Sequence, residues 1–131
     1  MSGAISGVQH LQTFAAAANL SAYQYHFVYL TDDLTVNVAG ANAITIGILQ
    51  NKDCDAAGKA CKVAILGSVS KLVAGEGAAV GKMITAKSDG HGEIADAADE
   101  FVGAIALTAA GAANDEFTVL VTAFDAVSSD A

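Results

Sequence analysis

The 131-residue chain contains no proline, no tryptophan and no arginine. Without proline, its turns have to be made by Gly, Asn and Asp. With six lysines against fourteen acidic residues, the formal net charge is -8. A nucleic-acid binder needs a basic surface to displace counterions from phosphates, and arginine is the preferred base reader. No nucleic-acid partner is therefore expected. Nor is a membrane partner, since no apolar run approaches the roughly 20 residues that span a bilayer. Residues 1–20 carry no Lys or Arg and so lack the charged start of a signal peptide, which makes a cytoplasm the expected place of folding. Cysteine is limited to Cys54 and Cys61. The two flank one loop and could approach across it, but in a reducing compartment free thiols are the expectation. Aromatics make up only 6% and alanine supplies much of the 53% hydrophobic content. The core must then be built from small and β-branched residues, with Phe14, Phe27, Phe101, Phe117 and Phe124 as anchors. The length suits one domain.

What is present is a repeated strand interrupted by glycine. Ile44-Thr45-Ile46-Gly47-Ile48-Leu49-Gln50 is echoed by Val102-Gly103-Ala104-Ile105-Ala106-Leu107. Each is followed by a small-residue turn and a second strand, Cys61 to Leu66 and Phe117 to Thr122. A shift of 56 positions lays Gly47 on Gly103 and Val63 on Val119. A glycine within a strand marks a bulge or a close approach of other atoms. Tyr23 to Leu30 reads as an aromatic strand with Tyr23, Tyr25, Phe27 and Tyr29 on one face. That stripe fits either a core face or a contact with a subunit or partner. Leu34 to Val38 and Gly67 to Ala74 are further strands. Ala78 to Lys87 is open between strand and a helical turn, Ser88 to Gly92 is a turn, and Glu93 to Ala95 is a short strand. Residues 1–20 carry Val8, Leu11 and Phe14 at spacings of three and are equally compatible with a short amphipathic turn or an extended arm. These signals predict an all-β fold, a small barrel- or sandwich-like domain over residues 21–125. It has two related hairpins, an N-terminal arm at 1–20 and a frayed tail at 126–131.

No candidate site survives comparison with its bland alternative. Gly75-Glu-Gly-Ala-Ala-Val-Gly81-Lys82-Met83 resembles a phosphate-binding loop, but Glu76 stands where the first glycine belongs and Met83 replaces the Ser or Thr. His10, His26 and His91 share no metal-ligand spacing and read as separate side chains, so no metal is expected. The adjacent pairs Asp32-Asp33, Asp99-Glu100 and Asp115-Glu116 read as solvated loops rather than carboxylates with split pKa values. Asp89-Gly90 lacks the rest of a calcium loop, and no Gly-x-Ser-x-Gly elbow occurs. No catalytic residue, cofactor or enzymatic activity is expected.

A family likeness runs along nearly the whole chain. Gln9-His10, Gln12-Thr13-Phe14, Leu20-Ser21-Ala22 and Gln24-Tyr25-His26-Phe27-Val28 carry its opening. Ile46 to Lys52, Gly67 to Gly75, Ser88-Asp89-Gly90, Val102 to Leu107 and Phe117 to Val121 continue it in order. In these segments the chain resembles the head-decoration, or capsid cement, proteins of tailed bacteriophages, a family long filed as a domain of unknown function and sometimes mislabelled as recombinases. Lys82 after Gly81 and the segments Asp53-Cys54-Asp55 and Lys59-Ala60-Cys61 depart from the family pattern. The resemblance implies a β-rich homotrimer on the outer surface of a virion, made in the bacterial cytoplasm, with the major capsid protein as partner. Val8, Leu11, Phe14, Tyr23, Tyr25 and Tyr29 are then the candidate interface, and Gly47 and Gly103 the structural glycines. The alternative from another class is a small-ligand or glycan-binding β-barrel, against which the absence of tryptophan counts. A phosphate-handling recombination enzyme would need the nucleotide loop that is missing.

Overall fold

The computed structural model describes residues 7–97 and 99–126. Ten strands form two sheets: β1 (Leu11–Ala16), β2 (Phe27–Asp32), β3 (Thr35–Val38), β4 (Gly47–Leu49), β5 (Ala60–Ala64), β6 (Val69–Val73), β7 (Met83–Ala86), β8 (Gly92–Ile94), β9 (Phe101–Ala106) and β10 (Glu116–Asp125). The first five close into a barrel in the order β1-β3-β2-β4-β5, and the others form an open sheet, β6-β10-β9-β7-β8. The all-β expectation is met. Among the described residues, no helix is long and apolar enough to cross a membrane.

β4 and the first two residues of β2 are buried on both faces, and this joins the halves. Val28 and Leu49 point into the barrel with Phe14, Ala16, Leu20, Val36, Cys54, Cys61 and Val63. Their neighbours Phe27 and Ile48 point outward, into a larger core shared with Leu72, Ile84, Phe117, Val119 and Val121 of the open sheet. A strand covered on both sides loses the alternation of apolar and polar residues, which is why this part of the sequence reads as unbroken apolar runs.

Turn chemistry follows from the missing proline. Gly58, Gly67, Gly81, Gly90, Asn42, Asp89, Asp99 and Asn114 all take positive φ. Tyr25 (φ 65°) and Leu34 (φ 46°) do so as well, although neither residue type favours that region. Tyr25 also corrects the predicted aromatic strand, which begins at Phe27 instead of Tyr23. Residues 20–26 make turns, Tyr23 N donating to Leu20 O (3.0 Å) and His26 N to Tyr23 O (3.1 Å). Tyr25 N then donates to Leu49 O at 2.7 Å, and Val73 N donates to Tyr25 O at 2.8 Å, tying the turn to both sheets.

The N-terminal segment is corrected too. Leu11–Ala16 pairs antiparallel with β5, from Leu11 opposite Ala64 to Ala15 opposite Ala60, and parallel with β3. Leu20 is fully buried. An arm cannot supply these ladder bonds; the strand closes the barrel and covers its interior. At the other end Ala126 is buried and its N–H donates to Glu100 O at 2.7 Å, so the frayed tail does not begin there. Residues 1–6 and 127–131, the remainder of the arm and of the tail, lie outside the described residues. The Ala78–Lys87 stretch becomes a strand only at Met83.

Both glycine-interrupted hairpins form, one in each sheet, but their registers differ by one residue. Leu49 faces Val63 in the first; in the second, Val119 faces Ala106 and Ile105 faces Leu120. The sequence echo is therefore a likeness of strands, not of cross-strand partners.

Candidate interaction surface

The structure scatters the residues that chemistry would need to collect. The Gly75–Met83 loop is not followed by a helix, Ala78 instead bridging Ala110, and Lys82 is exposed. The paired carboxylates cap turns: Asp32 accepts from Asp33 N (2.8 Å), Glu100 from Ala97 N (2.7 Å) and Asp115 from Ala112 N (3.1 Å). Among the described residues, no group of three or more His, Cys, Asp or Glu is placed to hold a metal ion.

One expectation about titratable groups is overturned. His26 and His91 are not separate: their ring centroids are 4.8 Å apart, and Tyr23 meets His26 edge-on at 5.4 Å. They are 65 positions apart in sequence and meet because the Ser88–Gly90 turn packs on the start of β2, where a Cβ on Gly90 would stand 2.7 Å from Phe27 O. The structure assigns no proton, but His26 Nδ1 lies 3.0 Å from Gln24 O, which makes that nitrogen the natural N–H donor. Burial holds the His26 pKa below 6.5, outweighing the opposing hydrogen bond to Gln24 O, and His91 adds to the depression. His26 thus sits where a turn of the open sheet packs on the barrel, in surroundings that disfavour its charged form.

Of the six candidate interface residues, two are exposed. Val8 is 62% exposed and Leu11 50% exposed. Phe14 is in the barrel interior, where alternation along β1 turns it away from Leu11. Tyr23, Tyr25 and Tyr29 are half-buried, Tyr23 against the barrel core and the others against the shared core. Sequence reasoning missed the most exposed large apolar residue among those described, Ile44 at 75%, because Ile44 to Gln50 reads as one buried strand. The ladder starts only at Gly47, so Ile44 turns outward. There it lines an apolar groove of about 460 Å³ with Tyr29, Leu30, Ala43, Thr45 and Ile46. Leu34 and Leu66 on the barrel side, and Val80, Leu107 and Phe124 on the sheet side, are also exposed.

A second, polar cleft of about 250 Å³ lies where Gln9, Tyr25, Gln50, Ser70 and Lys71 meet. Its amides are mostly spent on one another and on the backbone: Gln50 Nε2 donates to Ser70 Oγ (2.7 Å) and Ile48 O (3.0 Å), and Gln9 Nε2 to Gln50 Oε1 (3.3 Å). Small-molecule pockets begin at roughly 300 Å³, so this cleft falls short of that size.

The described residues thus form a two-sheet β-protein whose surface offers apolar side chains on both halves. No family model matches the chain, and no curated protein matches it. Among solved structures it is similar to the N base of the head fiber gp8.5 in bacteriophage phi29, with a TM-score of 0.66 and 22% identity. The likeness covers 88% of this chain and 95% of that one. At that identity the shared property is the fold.

Proposed function

We propose that this chain is a structural protein of a phage virion, bound to the outside of the head. The observation that carries the reading is the fold likeness to the phi29 head-fiber base, which spans nearly the whole of both chains. The ordered sequence likeness to head-decoration proteins points the same way. In the finer reading, the protein is a homotrimer that cements neighbouring copies of the major capsid protein. Such a trimer grips several subunits at once, so that modest contacts add by avidity. Exposed apolar residues on both halves, such as Ile44 and Leu107, suit a protein with more than one neighbour. The role requires no reaction, no nucleic acid and no membrane, in keeping with the charge of -8.

Electron microscopy of heads assembled with and without the protein tests the reading. Extra density on the outer surface that disappears when the gene is deleted is the expected result. Density-free heads of unchanged stability, with the protein absent from purified virions, would overturn it. The trimer is tested separately by light scattering at micromolar concentration, with an expected mass three times the 13.1 kDa of one chain.

A further inference from the structure

The loop between β4 and β5 is docked on the barrel rather than projecting from it. Ala16 N donates to Lys59 O and Gly58 N to Ala16 O, both at 2.8 Å, and Leu20 N donates to Cys54 O at 2.9 Å. Asn51 ties the base of the loop, its Nδ2 donating to Ala60 O (3.0 Å) and its Oδ1 accepting from Lys62 N (2.9 Å). The loop thereby holds the end of β1 in place. Cys54 and Cys61 bracket it. Both are free thiols, both are fully buried, and both belong to the barrel core with Phe14, Leu20, Leu49 and Val63. Cys61 lies opposite Phe14 in the β1–β5 ladder, and Cys54 Sγ donates to the carbonyl oxygen of Asn51 (3.7 Å), the residue whose side chain is tied to both neighbours of Cys61. These are the chain's two cysteines, and the fold buries both in one apolar cluster at the base of one loop.

We propose that Cys54 and Cys61 form a redox-convertible staple, reduced as the chain folds and closed to a disulfide by exchange with a low-molecular-weight disulfide. One cysteine thiolate attacks a sulfur of the reagent, forming a mixed disulfide and releasing one small thiolate. The other cysteine thiolate then attacks the protein sulfur of that mixed disulfide and releases the second. The two cysteines lose two protons and two electrons in all, and the reagent is reduced to two thiols. Burial governs the rate. The apolar surroundings, reinforced by Cys54, push the Cys61 thiol up to about 12. Thiolate is therefore scarce in the closed loop, and exchange proceeds through its transient opening. Once formed, the bond fixes Gly58 and Lys59 over Ala16, so that β1 cannot peel from the barrel. The inference stands whether or not the chain sits on a phage head.

The test uses the reduced full-length chain incubated with oxidised glutathione near pH 8, then acid-quenched, unfolded and treated with an alkylating reagent. The expected product is about 2 Da lighter than the reduced chain, carries no alkyl group, and yields a Cys54–Cys61 linked peptide. Its melting midpoint should rise by about 5–10 °C and return on reduction. Cys61→Ser and Cys54→Ser should each lose that shift. Full alkylation of both thiols, a stable glutathione adduct, a disulfide between two chains, or an unchanged or lower midpoint in the closed form would each overturn the proposal. All of these are read on the unsubstituted protein, so the outcome does not depend on the variants folding.

Discussion

Replacing Gly103 with valine puts a branched side chain into the seam between barrel and sheet. A Cβ there stands 2.5 Å from Thr45 Oγ1 and 2.8 Å from Phe27 Cε1, whereas carbon contacts settle at about 3.5–4.0 Å. Both neighbours are buried, Phe27 completely. At Gly47 a Cβ runs into the Ala64 carbonyl oxygen and stands 2.7 Å from Val63 Cγ1. Neither glycine has positive φ, so space and not backbone angle demands it. Intrinsic preference pulls the other way, valine being favoured over glycine in strands by up to ~1 kcal/mol. Overpacking a tight site costs about 1–3 kcal/mol and occasionally more, and valine adds two methyl groups beyond a Cβ that already clashes. Steric cost wins, with a net loss of about 2–3 kcal/mol at each site. For a domain of this size that lowers the melting midpoint by roughly 8–12 °C. Gly77 is exposed, and the nearest atoms to a Cβ there would be Gly111 O at 3.2 Å, Ala110 O at 3.5 Å and Gly111 C at 3.6 Å. Gly77→Val should cost no more than about 3 °C. Thermal unfolding followed by circular dichroism in one buffer compares the three. The Gly103 clash is with side chains, so Thr45→Ala should offset part of the Gly103→Ala loss, whereas trimming Val63 would leave the nearest obstacle at Gly47, the Ala64 main chain, in place. Melting of Gly47→Val or Gly103→Val at or above the parent, or equal losses at all three positions, would refute the reasoning.

Stability should fall with acid through His26. Its folded pKa lies below the ordinary 6.5, so the unfolded chain takes up a proton that the folded chain resists. The contribution is complete above 6.5 and is lost as pH drops through the folded value. His26→Asn should flatten the melting midpoint between about pH 7.5 and about pH 5 relative to the parent, and a parent curve already flat there would remove the effect. Phe14→Ala should destabilise by about 3 kcal/mol or more, since Phe14 is buried in the barrel; an unchanged midpoint would return residues 11–16 to the status of an arm. Purified protein should not hydrolyse ATP, and activity abolished by Lys82→Ala would overturn the structural reading.

Much of the fold was legible because it is local. Alternation and glycine punctuation marked Val69–Val73, Thr35–Val38 and both members of the second hairpin, and the missing proline forecast turns built on Gly, Asn and Asp. Periodicity reports which face a residue shares, however, and not what lies across from it. The sequence could not say that β2 and β4 serve two cores, because an apolar run looks the same however its two faces are divided. Val8, Leu11 and Phe14 at spacings of three looked alike, yet pairing with β5 leaves Leu11 in solvent and buries Phe14. At the two glycines the obstacles differ: the Ala64 main chain together with Val63 at Gly47, side chains across the seam at Gly103.

The candidate surface was legible least of all. Ile44 is exposed only because the ladder begins three residues later, and His26 meets His91 only because a turn of the open sheet packs on the barrel. Composition and local pattern determined the all-β class and the acidic balance of the chain. Closure of the barrel, the one-residue difference in hairpin register, the buried thiol pair and the histidine pair were decided by tertiary structure. Each depends on contacts between residues distant in the chain, whose energies are settled by packing and desolvation after the strands have found their partners.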